Sequence, residues 1–279
     1  MKIVQALKEE RQKLGLTQEQ MIKGIINKGH YSKIERGLES ISIDTLFRII
    51  LKHHIDISDF FNKVKYDYYT SEDKKAEELK QKMLHAFNNN QREKVGIYLN
   101  EILDLKEHQL FKYRTIIAIA SLENSLSDLS LAFKNKIVTR FSEHENWVEN
   151  IGALQLFSDC MKIFSLEQVD YFLGQLLKHY QKNSCSESMR ERVAIICNSY
   201  LFYCYKQKLN GDNIEAALDY LASLETTTHF LLYRICHELY FNLFSGNTEK
   251  VAQIKKIADE MWISRLYGIL ANLVVYSTT

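Results

Sequence analysis

A chain of 279 residues with 46% hydrophobic and 25% charged residues suits one small plus one larger domain, or a repeat array, and is too apolar for wholesale disorder. There is no proline and there are only 10 glycines, which favours long helices with short loops, since proline breaks helix interiors and glycine weakens them. The net charge of +1 hides an asymmetry: residues 1–65 hold 12 Lys+Arg against 8 Asp+Glu, so a polyanionic partner is expected at this head only.

In chain order, Ile3, Leu7 and Leu14 follow the helical period up to Gly15. Thr17 with Gln20 three residues later forms a capping-box pattern, predicting a second helix to Ile25 or Ile26. A turn through Asn27, Lys28 and Gly29 leads to a third helix over His30–Arg36, which Gly37 stops. Ser42 caps a fourth helix with apolar Leu46, Ile49 and Ile50, and Asp56 or Ser58 opens a fifth ending at Phe60-Phe61. Five short helices with a tight turn between the second and third describe a helix-turn-helix module.

The string LGLTQEQM, followed by YSKIERGLESISIDTLFRI and DISDFF, resembles the repressor-type (Cro/C1-like) helix-turn-helix domain across residues 3–61. The resemblance implies a third helix in the DNA major groove, with Asn27, Lys28, His30, Tyr31 and Lys33 toward the bases. It also implies Gln18 meeting a phosphate and bracing the third helix, with Lys28, Lys33 and Arg36 as phosphate contacts. Ile34 is expected in the core, which is also the structural alternative for Tyr31. Glu35-Arg36 reads as either part of this surface or a simple surface pair. Gly29 stands where the family often has a capping serine.

Residues 66–75 are read as a linker between a DNA-binding domain at 1–65 and a helical domain at 76–279; the tyrosines there are expected to pack rather than stack on bases. Beyond it, amphipathic helices are expected at Glu77–Phe87, Glu93–Leu105, Phe111–Leu122, Asp128–Phe141, Trp147–Phe164, Leu166–Tyr180, Met189–Lys206, Ile214–Glu225, Phe230–Phe244 and Glu249–Met261. A buried apolar segment follows at Leu266–Val275. Gly211 and Gly246, like Ala217 and Ala252, are 35 residues apart, close to the roughly 34-residue period of tetratricopeptide helix pairs. The fold expected is therefore all-α, a five-helix head followed by a solenoid of such pairs, whose concave face commonly binds an extended peptide.

The stretches ENWVENIGALQLFSDCMKIFSLEQV, RERVAIICNSYLFYCYKQKLNGDNIEAALDYLASLE and YRICHELYFNLFSGN look like the C-terminal domain of Rgg/GadR/MutR-type regulators, of the bacterial peptide-sensing group with PlcR and PrgX. That resemblance implies homodimers that bind promoter DNA and a short, unmodified signalling peptide, as in quorum sensing. Carried over to this chain, Asn198 would hold the peptide backbone. Asp159, where relatives often have Asn, would face an amine or basic side chain, and Arg234 a carboxylate. Asn198 against a neighbouring helix, or Arg234 against Glu238, is the structural alternative.

No phosphate-binding loop, G-x-S-x-G elbow or H-E-x-x-H is present, so no enzyme is expected, and no metal or other cofactor. His53-His54 point to different helix faces, and Glu143-His144-Glu145 reads as a solvated helix end. The five cysteines lack a C-x-x-C pair and are expected to be structural. No segment reaches the ~20 apolar residues of a membrane span, and the charged start is unlike a secretory signal. A cytoplasmic transcription regulator without membrane contact is therefore expected. The alternative is a helical-repeat adaptor that binds another protein and whose head does not read DNA.

Overall fold

A computed structural model describes residues 1–89, 91–142, 146–183 and 185–260. The segment Leu266–Val275 and the Glu143-His144-Glu145 cluster lie outside the described residues. Among those described there is no strand: fifteen α-helices and three short 3-10 turns make up the regular structure. None of the helices searched is long and apolar enough to cross a membrane. Contacts divide the chain into two compact units, Met1–Gln81 and Lys82–Thr279.

The first unit holds α1 (Ile3–Lys13), α2 (Gln18–Ile22), α3 (Lys28–Glu35), α4 (Ile43–Lys52) and α5 (Ile57–Tyr68). Side chains define most of the starts. Thr17 accepts from the Gln20 amide while Gln20 reaches back to the Thr17 amide, a complete capping box. Ser42 caps α4, and Asp56, not Ser58, caps α5. The core is built from Ala6, Leu7, Met21, Ile22, Tyr31, Ile49, Ile50, Phe60 and Val64, each large apolar side chain contributing roughly 1.5–3 kcal/mol. α5 continues well past Phe61, because Val64 is buried in that core and draws another turn into the helix. Residues 66–75 consequently fall at the end of α5 and the start of α6 (Ser71–Asn88), with Tyr69 and Thr70 between. There the Tyr66 and Tyr69 rings pack at 5.4 Å, and Tyr68 is exposed.

The second unit continues with α7 (Arg92–Leu103), α8 (Gln109–Leu122), α9 (Leu131–Ser142), α10 (Ile151–Cys160), α11 (Leu166–Lys182), α12 (Glu187–Gln207), α13 (Ile214–Ser223), α14 (Leu231–Phe244) and α15 (Thr248–Glu260). The single helix expected over Trp147–Phe164 is in fact α10 flanked by 3-10 turns. Asn150 breaks the run because its side chain accepts from the Ala153 amide and starts a new helix. Phe141, Trp147, Phe157 and Phe172 pack edge-on or tilted, with centroids 5.3–6.0 Å apart, an arrangement that the aromatic quadrupole favours. α12 packs on α10, α13 and α14, and α14 packs on α13 and α15, so consecutive helix hairpins stack as in a repeat array.

The two repeat glycines perform different tasks. Gly246 ends α14 at φ +74°, which glycine tolerates without strain. Gly211 matters for space, since a Cβ there would stand 2.1 Å from the Tyr200 hydroxyl. That hydroxyl donates to Asp170 Oδ1 and accepts from the Asn213 amide at 3.2 Å. The Asn213 side chain in turn donates to the Asp170 carbonyl at 2.9 Å. The network ties the α12–α13 loop onto α11. Cys160, Cys197, Cys204 and Cys236 are buried and Cys185 is half-buried, none of them in a disulfide; burial pushes Cys204 up to about 11.

Candidate nucleic-acid interface and a buried polar cluster

On α3 the buried stripe is Tyr31 and Ile34, one helical step apart, which leaves Lys28, Gly29, Lys33 and Arg36 exposed. The helix begins two residues earlier than its sequence suggested. Asn27 is the N-cap, its side chain accepting from the His30 amide at 2.8 Å, so no serine is required at position 29. Capping engages Asn27 Oδ1, while the side chain stays exposed beside Lys28.

Tyr31 departs from its expected role: it is 0% exposed and belongs to the core, so it cannot reach a base edge. Burial first, and then the nearby Glu35 carboxylate, raise its phenol well above the usual range. Glu35 is the hub of a network that local spacing concealed. Arg11 donates through Nε to Glu35 Oε1 at 2.6 Å and through Nη2 to Oε2 at 3.1 Å. Gln18 donates to Oε2 at 2.8 Å, and Arg11 Nη1 caps the Leu16 carbonyl at 2.9 Å. Burial alone would raise the Glu35 carboxyl, but these donors hold it below the ordinary carboxylate value. Glu35 is therefore a bracing group tying α3 to α1 and α2, and Gln18 does brace the third helix. Arg36, the neighbour once paired with Glu35 in sequence, instead donates to the Ser32 carbonyl at 3.2 Å. Lys28 stands 3.6 Å from Glu19. His30 Nδ1 and Lys33 Nζ lie 2.6 and 2.9 Å from the two oxygens of Glu39.

In the second unit, Asp159 is on α10 with its side chain fully buried. Arg114 of α8 donates to its Oδ2 at 2.6 Å and to Gln155 Oε1 at 2.9 Å. Among the described residues, Asp159 Oδ1 has no hydrogen-bond partner. Burial pushes the carboxyl up to about 6, against the pull of Arg114, Arg192 and Lys162. On α12, Asn198 is buried and its Oδ1 also lacks a partner among the described residues; next in sequence to each residue, the Ser158 and Ser199 hydroxyls meet at 3.3 Å. This contact joins α10 and α12, the helices that carry the two expected positions. Arg234 does not join them. Its Nη1 donates to the Ala222 and Leu224 carbonyls at 2.9 and 2.8 Å, closing the C-terminal end of α13. A guanidinium spent on helix carbonyls is poorly placed for a peptide carboxylate, and neither expected alternative accounts for it. Arg114, Lys162 and Arg192 went unnoticed in the sequence, although a lone arginine within the apolar run of α8 was a usable signal.

Residues 7–60 match the family model described as Helix-turn-helix. The head is a helix-turn-helix domain. Among curated proteins none matches the chain. Solved structures resemble nearly all of it. A candidate transcriptional regulator from Listeria monocytogenes EGD-e aligns at TM-score 0.71 and 20% identity, over 97% of this chain and 94% of that one. The SHP pheromone receptor Rgg2 of Streptococcus dysgalactiae aligns at 0.68 and 12% identity, over 98% of both chains. Bacillus thuringiensis PlcR, solved with the peptide PapR7 and DNA, aligns at 0.58 and 15% identity, over 97% of this chain and 99% of that one. The chain thus combines a helix-turn-helix domain with the whole fold of the Rgg, PrgX and PlcR group.

Proposed function

We propose that the chain is a cytoplasmic, homodimeric, DNA-binding transcription regulator whose activity is controlled by a short signalling peptide held in the helical repeat domain. The observation carrying this reading is the helix-turn-helix head joined, in one continuous fold, to a repeat domain like those of Rgg2 and of PlcR, which was solved with peptide and DNA. In the head, Lys28, His30, Lys33 and Arg36 offer donors to phosphates and base edges, with Asn27 at the helix start and Gln18 holding the helix in place. In a dimer, two such helices read half-sites ~34 Å apart or a multiple of that distance.

In the repeat domain, Asn198 Oδ1 is an acceptor suited to a peptide N–H. Three cationic side chains act on one carboxylate at Asp159, so the cluster favours an acidic group of the peptide rather than the basic one that Asp159 alone suggested. Peptide bound there regulates only by favouring one dimer geometry over the other.

The test is DNA affinity against salt for the full chain. Replacing Lys28 and Lys33 together with alanine is expected to weaken binding and to flatten the slope of log K against log salt by about two, because each lost phosphate contact removes close to one unit. An unchanged slope would take both lysines out of the interface. A parent chain that shifts no duplex would instead support the adaptor reading. For the peptide arm, affinity selection from a library of short unmodified peptides should retain binders that an Asn198→Ala chain loses by about tenfold, the value of one buried hydrogen bond. Equal retention would remove Asn198 from the site.

A further inference from the structure

The exposed cations of α3 are already engaged by carboxylates of their own domain. Glu39 lies in the loop between α3 and α4, where its two oxygens meet His30 Nδ1 at 2.6 Å and Lys33 Nζ at 2.9 Å. The positions i and i+3 share a helix face, and a bidentate oxyanion across them has the geometry a DNA phosphate would need. Lys28 and Glu19 form a second such pair, but at 3.6 Å with side chains 64% and 74% exposed, where an ion pair is worth little. The Glu39 side chain is only 34% exposed and holds two groups at hydrogen-bonding distance. Its carboxyl lies below the usual carboxylate value, first through the Lys33 hydrogen bond and also through His30.

We propose that Glu39 is an internal stand-in for a DNA phosphate: it occupies His30 and Lys33 in the unbound protein and has to be displaced when α3 enters the groove. The inference rests on the DNA-binding reading above. Its consequence is a tax on every duplex alike, since phosphates are common to all sequences. Cognate and non-specific sites therefore lose affinity by the same factor, so Glu39 lowers the occupancy of all DNA and leaves the choice between sites to base contacts.

The experiment is anisotropy of a fluorescein-labelled duplex of mixed sequence, titrated with the full chain at several salt concentrations. E39Q keeps the size of the side chain and removes the charge. It is expected to tighten binding about tenfold at low salt and to steepen the salt slope by up to about one, both gains shrinking as salt screens them. In a K33A background the gain should fall to about threefold or less, because Lys33 is half of what Glu39 occupies. Several results overturn the proposal. Unchanged affinity of E39Q is one, and weaker binding is another, since a loss would make Glu39 a direct contact, such as an acceptor for a cytosine amino group. A full tenfold gain in the K33A background would reduce Glu39 to a general charge effect. If the unsubstituted chain binds no duplex, the DNA reading fails and this inference with it; binding that E39Q does not alter sinks the inference alone.

Discussion

Asp159→Ala is expected to destabilise the repeat domain by about 3–5 kcal/mol, the usual consequence of stripping one partner from a buried ion pair. Arg114 is only 16% exposed at its side chain, and its Nε rests 2.6 Å from Asp159. Without the carboxylate, its charge is left in the domain interior near Arg192 and Lys162, which also act on this site. Hydrogen-exchange protection of the α10 amides in the full chain reads the effect locally, which matters in a protein of two units. A loss below about 1 kcal/mol would mean that water reaches Arg114 and that the cluster is not buried in solution.

The same carboxyl predicts a pH dependence of unusual sign. Its value in the folded chain is raised from 3.8 to about 6. The folded state therefore holds a proton that the unfolded chain has already released between those values. The stabilising contribution is fully present below pH 4 and is lost as pH rises through 6. Relative to Asp159→Asn, the parent should lose about 3 kcal/mol over that interval. The Asn variant serves as reference because it keeps an acceptor toward Arg114 and cannot titrate. A difference curve that is flat, or that rises with pH, would contradict the burial of this group. Should peptide binding use the cluster, the cationic neighbours would be most available to an acidic ligand when Asp159 is protonated.

Glu35→Ala is the second large effect, expected in the head. The Glu35 side chain is 4% exposed and that of Arg11 15%. Removing the carboxylate takes both hydrogen bonds from Arg11 and the one from Gln18, a loss of about 3 kcal/mol or more. At roughly 0.05–0.15 kcal/mol per residue, a head of this size has little stability beyond that. DNA binding should disappear at 37 °C while the helices of the second unit stay protected from exchange. Glu35→Gln, which retains acceptor capacity, should fall between parent and Ala. The pH sign here is opposite to that of Asp159. Glu35 is held below its ordinary 4.5 in the folded chain, so its contribution is present above that value and is lost as pH falls through the folded one. Acid should loosen the head while it relieves the strain on the buried cluster. An Ala variant that still binds duplex DNA with parental affinity would show that α3 does not depend on Arg11 for its position.

Much of the architecture was legible because its causes are local. Thr17 with Gln20, and Ser42 before an apolar run, each mark a helix start within one turn of chain. Ile34, apolar within a polar helix, marks the core side of α3 by itself. The start of α3 is ambiguous in the sequence for an equally local reason: Asn27 can either end a turn or cap a helix, and only its bond from the His30 amide shows that it caps. What spacing could not reveal were pairs across long stretches of chain, Arg11 with Glu35 and Arg114 with Asp159. Tyr31 illustrates the difference within one residue, since a polar-tipped aromatic suits either a groove or a core and only packing decides.

Sequence by itself determined that this protein is helical throughout its described length, that a helix-turn-helix head precedes a repeat domain, and that Lys28, Lys33 and Arg36 are outward-facing cations. Helix period, capping and breaker residues act over a few positions and so are written in short strings. Tertiary structure alone decided that Tyr31 is core, that Arg234 closes a helix end, that Glu39 covers His30 and Lys33, and that Asp159 is buried against Arg114. Burial and pairing of charge depend on which distant segments meet, and desolvation then sets what each group can do.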